Sequence, residues 1–413
     1  MDLVENTGIG WVYNNRARDG GCARVPVSDF SEDQVGRVRD FHRAFAEYEP
    51  TPLHRLDSLA GELGVKSIWV KDESKRFGLN AFKVLGGSYA IGKYLAARMG
   101  IDLGGISFDT LKGMTAKENK QRLLFVTATD GNHGRGIAWA ARQLGQDAVV
   151  FLPKGSAEAR VRNIEREGAR AFVLDMNYDD AVRHAKDYAE KNDGIFVQDT
   201  AWEGYTEIPG WIMQGYSTIA HELTEQLEAQ GADKPTHVFL QAGVGSFAAS
   251  IQAYFAYRYG SDRPVTAVVE PDRAACMFKS ASIGDGRAHM VAGDLDTIMA
   301  GLACGEPNTV AWGILRDYSD MFFSCPDYVA ARGTRILANP LGDDPRIVSG
   351  ESGSVGVGLL SLLLEREECR EAVRLLGLGS DSRVAFISTE GDTDPVGYRK
   401  IVWDGLCPTP DKL

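Results

Sequence analysis

Short apolar runs rich in β-branched residues recur along the chain from about Ser67, and longer segments with helical periodicity separate them. This alternation is typical of parallel βαβ units, because the strands of a parallel sheet are buried on both faces and read as continuous apolar runs. We predict strands at 67–73, 123–129, 147–153, 169–175, 194–199, 236–243, 264–270 and 383–389. The predicted fold class is therefore α/β, with mostly parallel twisted sheets flanked by helices.

Polar turns between these runs indicate where helices begin and end. The turn DGNHG begins a helix predicted over 132–144, and a helix over 157–167 follows PKGSAEA and ends before Gly168. A chain of 413 residues exceeds the length that one hydrophobic core usually serves, so we expect two domains. Since the sequence contains no repeat and no long linker, we expect one domain to be inserted within the other.

Composition argues against several classes of partner. The 57 acidic and 45 basic side chains give a formal charge of -12, which repels nucleic acid and anionic lipid surfaces. The six cysteines are far apart and form no C-x-x-C pair, so we expect neither a metal site nor a disulfide-stapled scaffold. The sequence also lacks a signal-like start and any run of the ~20 apolar residues that span a membrane, so we expect a cytoplasmic protein.

Lys83 lies at the first turn of a predicted helix, directly after a strand and an Asn-containing turn. A cation near a helix N-terminus opposes the helix dipole, and apolar residues flank this lysine, so an ordinary solvated lysine is disfavoured. A desolvated amine is nucleophilic and forms Schiff bases with aldehydes, and pyridoxal phosphate is the aldehyde that most often exploits this. Taken alone, the segment is also compatible with a surface lysine.

A glycine-containing turn joins the predicted strand 236–243 to an apolar helix through Gly243, Val244, Gly245 and Ser246. Backbone amides at the helix start, the helix dipole and the Ser246 hydroxyl could hold a phosphate group without a basic side chain. The segment lacks the lysine of a Walker loop and does not match G-x-G-x-x-G, which argues against a nucleotide. A purely structural turn is an equal alternative.

Polar residues are concentrated at the end of the predicted strand 123–129, and ligands bind at the carboxyl ends of parallel strands. Asn132 can donate a hydrogen bond to a phenolate-like oxygen. The Asp130 carboxylate would repel the carboxylate of a bound substrate unless it faces a positive group. His133, considered alone, is explained as a histidine of the turn.

Candidate chemistry also occurs at three other element ends. Asp199 closes the predicted strand 194–199 near aromatic residues, where a raised pKa would suit a general acid or base, although a helix-capping role is an alternative. Ser388 or Thr389, at the end of the last predicted strand, could meet a pyridine nitrogen. Glu351 begins another helix and could line the same cleft, although the helix dipole alone explains a carboxylate there.

Together these residues resemble the diaminopropionate ammonia-lyases, which belong to the fold-type II, tryptophan-synthase β-like pyridoxal-phosphate enzymes. The resemblance extends from about Thr51 to Asp404. The segments that carry it are KDESKRFGLNAFK, TDGNHGRG, PKGSA, QDTAWEGYTEIPGWIMQGY, QAGVGS, MAGLACGEPN, SGESG and STEGDTD.

The resemblance implies a role for each candidate residue. It implies that Lys83 forms a Schiff base with pyridoxal phosphate, that the turn 243–246 holds the phosphate, and that Asn132 faces the ring hydroxyl. Asp199 is implied as the base for the L-substrate and Asp130 as the base for the D-substrate. The remaining expected cofactor contacts are Ser388 and Thr389, and the expected substrate contacts are Thr129, Asp130, His133, Asp199 and Glu351.

The implied reaction is the elimination of ammonia from 2,3-diaminopropionate, which gives pyruvate and two ammonia. Serine and threonine dehydratases of this fold usually have a hydroxyl residue in place of Asp130, and an added carboxylate suits a substrate with a second ammonium group. The resemblance also implies a homodimer, with a small domain at 88–190 inserted into a large domain of 1–87 and 191–413. The alternatives are a dehydratase or β-replacement synthase of the same fold, and a noncatalytic protein that binds the cofactor or a metabolite.

Overall fold

The computed structural model describes residues 8–103, 108, 110–113, 122–129 and 131–411. Within these residues, the strands form one sheet of seven strands and one sheet of four, and helices alternate with the strands along the chain. Both sheets are mostly parallel, which confirms the predicted α/β class.

The strands of the described residues are numbered in chain order. They are β1 (Gly10–Tyr13), β2 (Leu53–Arg55), β3 (Ser67–Asp72), β4 (Leu124–Ala128), β5 (Asp147–Leu152), β6 (Arg170–Val173), β7 (Ile195–Phe196), β8 (His237–Gln241), β9 (Val265–Pro271), β10 (Met321–Cys325) and β11 (Arg383–Ser388). The larger sheet has the order β1-β10-β9-β8-β11-β3-β2, and the smaller one has the order β6-β5-β4-β7.

The two edge strands of the larger sheet, β1 and β2, run antiparallel to their neighbours, and the other five strands run parallel. The carboxyl ends of β3, β8 and β11 therefore lie at the same edge of this sheet. The segments that follow these ends carry Lys83, the turn 243–246 and Thr389. The strand order thus brings three predicted site segments to one side of the molecule.

All eight predicted strands are confirmed, although 169–175 and 194–199 shorten to β6 and β7. The sequence did not predict β1, β2 or β10. β1 and β2 have only 4 and 3 residues, so they carry little periodic signal. β10 is a short apolar run, MFFSC, which periodicity alone does not distinguish from a buried helical segment.

The α-helices whose two ends lie within the described residues are α1 (Glu32–Arg43), α2 (Asp57–Leu63), α3 (Val84–Arg98), α4 (Asn132–Gln143), α5 (Glu158–Arg166), α6 (Tyr178–Lys191), α7 (Glu207–Ala229), α8 (Ser246–Tyr259), α9 (Cys276–Ile283), α10 (Thr309–Tyr318), α11 (Asp327–Ala338), α12 (Glu351–Glu365), α13 (Arg370–Leu376) and α14 (Pro395–Val402). The predicted helices 132–144 and 157–167 are confirmed to within one residue at each end. Among the described helices, none combines the length and apolar character of a membrane span.

α3 is buried along most of its length because it packs against α4 and α7. Two glycines permit this close approach. A Cβ atom on Gly86 would lie 2.5 Å from Tyr216 Cε1, and one on Gly215 would lie 2.5 Å from the Leu85 carbonyl oxygen. Since Lys83 immediately precedes α3, this packing fixes the position of the lysine backbone.

Candidate active site

Lys83 and Asp199 are in direct contact. Only 15% of the Lys83 side chain and 4% of the Asp199 side chain are exposed. Lys83 Nζ donates a hydrogen bond to Asp199 Oδ2 at 3.1 Å. Because Asp199 follows β7, the smaller sheet positions the carboxylate, and the start of α3 positions the amine. The fold therefore joins two predicted site residues that are 116 positions apart in the chain.

The pKa of Asp199 is lowered, which is opposite to the expectation from its aromatic surroundings. Burial by itself raises this pKa, but the charge and hydrogen bond of Lys83, together with a contribution from the nearby His133, outweigh the effect of burial. The sequence expectation was wrong because it could not include a cation in contact with the carboxylate. Asp199 is therefore ionised at neutral pH and can accept a proton.

The glycine turn (243–246) connects β8 to α8 and lines the same cavity as Lys83. Gly245 has a φ of 94°, and a Cβ atom there would lie 2.3 Å from Met277 Cε, so the position requires glycine. The first amide groups of α8 have no partner within the helix, and the helix dipole favours an anion beside them. The residues of the turn therefore fit a phosphate group.

The Ser246 hydroxyl already has two partners within the chain. It donates to the carbonyl oxygen of Asp199 and accepts a hydrogen bond from Asn308 Nδ2 at 2.8 Å. The backbone amide of Asn308 donates to the Val244 carbonyl oxygen at 2.8 Å. Ser246 and Asn308 thus connect the glycine turn to Asp199. Sequence reasoning missed Asn308, although an Asn before an apolar helix is a recognisable N-cap signal.

Asn132 contacts a residue that the sequence did not single out. Its Nδ2 atom donates to Glu390 Oε2 at 2.5 Å. Glu390 follows β11, is 1% exposed and accepts a second hydrogen bond on Oε2 from Thr393 Oγ1 at 3.1 Å. Its other oxygen, Oε1, has no hydrogen-bond partner among the described residues. The available signal was the motif STEGDTD, in which a carboxylate follows the end of a strand.

The two hydroxyl residues at the end of β11 are both buried and hydrogen-bonded. Ser388 Oγ donates to Ser349 Oγ at 2.8 Å, and Thr389 Oγ1 accepts from Gln241 Nε2 at 2.8 Å. Thr389 lines the Lys83 cavity, whereas Ser388 is not among its lining residues. A contact of either hydroxyl with a pyridine nitrogen stays a prediction.

The structure gives the predicted residues of the turn after β4 different contacts. The Thr129 hydroxyl accepts a hydrogen bond from the Gly131 amide at 2.9 Å, so it shapes the turn. His133 is buried, and its Nε2 atom donates to the Val197 carbonyl oxygen at 3.1 Å. Neither side chain is part of the cavity lining. Asp130 lies outside the described residues.

The cavity at Lys83 is lined by segments that are far apart in the chain. It brings together the predicted residues Lys83, Asn132, Asp199, Gly243, Val244, Gly245, Ser246 and Thr389. Its other lining residues include Phe82, Tyr178, Tyr216, Gln241, Phe247, Cys304, Ser352 and Glu390. Among the described lining residues, Lys83 is the one side chain with a formal positive charge.

Glu351 lies in a neighbouring cleft, which shares Tyr178 with the Lys83 cavity. Burial, followed by the negative charge of Glu390, raises the pKa of Glu351 to about 7. Lys154, Arg160 and residues between 294 and 303 also line this cleft. Glu351 is therefore beside the predicted site, and its contact with a substrate stays a prediction.

Known proteins are similar to this chain in sequence and in structure. Residues 45–386 match the family model described as pyridoxal-phosphate dependent enzyme. The chain belongs to this family. The diaminopropionate ammonia-lyase of Escherichia coli K12 is 52% identical over 376 residues, which cover 91% of this chain and 93% of that enzyme. The enzyme of the same name from Salmonella typhimurium is 52% identical over 398 residues, which cover 96% and 98% of the two chains.

A solved structure supports the same family relationship. The crystal structure of holo diaminopropionate ammonia lyase from Escherichia coli matches this chain with a TM-score of 0.89 and 48% sequence identity. The match covers 97% of this chain and 98% of that one. The family resemblance inferred from the motifs is therefore confirmed over nearly the whole length.

Proposed function

We propose that this protein is a pyridoxal-phosphate-dependent diaminopropionate ammonia-lyase. The observation that carries the proposal is the buried contact between Lys83 and Asp199, at 3.1 Å, in a cavity that also contains the glycine turn. The identity of 52% to enzymes of that name, over nearly the whole of both chains, supports the substrate. An amine, a proton acceptor and an anion-binding turn are the groups that such an elimination requires.

The residues of the cavity fit pyridoxal phosphate. Lys83 would hold its aldehyde carbon, the glycine turn its phosphate and Asn132 its ring hydroxyl. When bound, the cofactor supplies an electron-withdrawing ring that favours loss of a proton from the α-carbon of an amino acid. The low exposure of Lys83 and Asp199 excludes bulk water from the place where this proton moves.

Asp199 is proposed as the base that takes the α-proton of the L-isomer. Its lowered pKa keeps it ionised, and its hydrogen bond to Lys83 places it beside the reacting amine. Asp130 is proposed as the base for the D-isomer, from the resemblance. After the α-proton leaves, the bond from the β-carbon to its protonated amino group breaks, the nitrogen keeps the bonding electrons, and ammonia departs. The free aminoacrylate that remains takes up water and gives pyruvate and a second ammonia.

The domain division and the assembly also remain proposals. We propose a small domain at 88–190 and a large domain of 1–87 and 191–413. β7 pairs with β4 of the smaller sheet although it lies just beyond residue 190, so this boundary should extend to include it. From the resemblance, we propose that the protein is a cytoplasmic homodimer, and light scattering of the purified protein tests the dimer.

One assay tests the function. The purified holoprotein is mixed separately with L-diaminopropionate, D-diaminopropionate and L-serine, and pyruvate and ammonia are quantified. We expect two ammonia for each pyruvate from diaminopropionate. Rapid release of one ammonia per pyruvate from serine, without turnover of either diaminopropionate isomer, would instead identify a dehydratase.

A further inference from the structure

The loop that follows β11 pairs with the residues directly before Lys83. Ala81 and Glu390 form an isolated antiparallel bridge between these two segments. Both segments also contribute residues to the lining of the Lys83 cavity. The pairing therefore joins two motifs that are far apart in the sequence, KDESKRFGLNAFK and STEGDTD, at the candidate site itself.

Two backbone hydrogen bonds flank this bridge. The Phe82 amide donates to the Thr389 carbonyl oxygen at 3.1 Å, and the Gly391 amide donates to the Asn80 carbonyl oxygen at 3.0 Å. A shift of such a pairing by one residue would turn its side chains to the opposite face. Because Lys83 and Thr389 both line the cavity, the register of the pairing sets how the lysine lies relative to the end of β11.

Asn80 combines two features that suit it to fix this register. Its backbone has a φ of 60°, in the left-handed region that asparagine tolerates better than most other residues. Its Nδ2 atom donates to Asp392 Oδ1 at 3.2 Å. Gly391 leaves room for this contact, since a Cβ atom there would lie 2.1 Å from Asn80 Oδ1. The side-chain amide of Asn80 is therefore held against two consecutive residues of the loop.

We propose that Asn80 is a positioning residue, whose hydrogen bond to Asp392 fixes the register of residues 389–391 against residues 80–82. Neither side chain of this pair lines the cavity, so the pair acts on Lys83 through the backbone. The register holds the lysine amine in the place where it captures the cofactor. The inference rests on the assignment of Lys83 as the residue that binds pyridoxal phosphate, and it does not depend on the amino-acid substrate.

Four variants test the contact. Asn80→Asp keeps the size of the side chain and its tolerance of the left-handed backbone, but it replaces the donor with a second carboxylate beside Asp392. The double variant Asn80→Asp/Asp392→Asn exchanges donor and acceptor, so it restores the hydrogen bond. Asn339→Asp is the matched control, because it makes the same chemical change at an exposed amide that donates to the Arg335 carbonyl oxygen at 3.3 Å. Asn80→Gly removes the donor without backbone strain and replaces Asn80→Asp if that variant does not fold.

Hydrogen–deuterium exchange of the full-length proteins, with and without cofactor, measures the pairing. Loss of a hydrogen bond to a charged group changes a local opening equilibrium by about tenfold, so peptides that span 79–85 and 388–394 should exchange about ten times faster in Asn80→Asp. The double variant and Asn339→Asp should exchange like the wild type. Unchanged exchange in Asn80→Asp, or a double variant that stays unprotected, would overturn the proposed contact.

The capture of the cofactor measures the position of Lys83. The visible absorbance of the bound cofactor is followed after the cofactor-free protein is mixed with pyridoxal phosphate. We expect capture to be roughly ten- to a hundredfold slower in Asn80→Asp, because a small displacement of a reacting group has a large effect on rate, and to recover in the double variant. A purely structural role would lower the free energy of unfolding in urea but leave the capture rate of the folded protein unchanged, and that result would overturn the proposal.

The outcomes separate this inference from the proposed function. If the wild type captures the cofactor and Asn80→Asp captures it at the same rate, only the positioning role of Asn80 is overturned. If the wild type develops no visible absorbance, the cofactor assignment of Lys83 is overturned, and the positioning role is overturned with it.

Discussion

Replacing Asp199 with Asn should destabilise the cofactor-free protein, because the change removes one charge of a buried pair without changing the side-chain shape. At an effective dielectric constant of ~20, unit charges separated by the 3.1 Å between Lys83 Nζ and Asp199 Oδ2 attract by ~5 kcal/mol. Desolvation of both groups offsets part of this attraction. Loss of one partner of a buried pair typically costs ~3–5 kcal/mol, and the partial exposure of Lys83 favours the lower end.

The loss of stability in Asp199→Asn should depend on pH. The folded-state pKa of Asp199 lies below its ordinary value of 3.8, so the folded state binds fewer protons at this site than the unfolded state does. The stabilisation is therefore fully present above 3.8 and disappears as the pH falls through the lower folded-state pKa. The free energies of unfolding of the wild type and Asp199→Asn should differ at neutral pH and converge in acid.

Urea unfolding of the two proteins, at neutral and acidic pH, measures this difference. Asp175→Asn is the matched control, because Asp175 Oδ1 lies 2.8 Å from Lys154 Nζ but 84% of its side chain is exposed. Water screens such a pair, so this variant should change stability very little. Equal losses in the two variants, or a loss in Asp199→Asn that persists unchanged in acid, would refute the reasoning.

Three other predictions concern the site. Lys83→Ala should abolish both the visible absorbance of the bound cofactor and turnover, and turnover at the wild-type rate would contradict its assignment. Asp199→Asn should slow elimination from L-diaminopropionate by about 10²–10⁴-fold, and Asp130→Asn should mainly affect the D-isomer; steady-state assays that show equal losses for both isomers would contradict this division. Gly245→Ala should cost ~2–5 kcal/mol in unfolding free energy and weaken cofactor binding, because it adds backbone strain and a clash with Met277, whereas Gly377→Ala, which meets no atom within 4 Å, should retain cofactor affinity.

Local sequence patterns were sufficient to predict most strands and helices that consist of one continuous segment with a clear apolar or helical pattern. The apolar runs at 147–153 and 383–389 and the helix at 132–144 all appear in the fold, because burial and turn chemistry act within a few residues. The glycine turn was also predictable, since glycines between a strand and a helix indicate a close approach of the backbone. The structure adds the reason for one of them, which is the left-handed backbone of Gly245 at a φ of 94°.

Electrostatic details of the site were not predictable in the same way. The sequence suggested a raised pKa for Asp199 from its aromatic neighbours, but the contact with Lys83 lowers it. The motif STEGDTD indicated a carboxylate at the end of a strand, but two facts about Glu390 are contained in no local pattern. These are its contact with Asn132, 258 positions away, and the absence of a partner for Oε1 among the described residues.

The sequence by itself determined the α/β class, the family and the residue types that could carry the chemistry, because these depend on composition, periodicity and motifs within short segments. Only the tertiary structure decided which of these residues meet. The order of the parallel strands places the ends of β8 and β11 side by side and brings β7 beside β4. Pairing across such distances is set by the packing of the whole chain, and so are the burial and charge balance of the side chains that it joins.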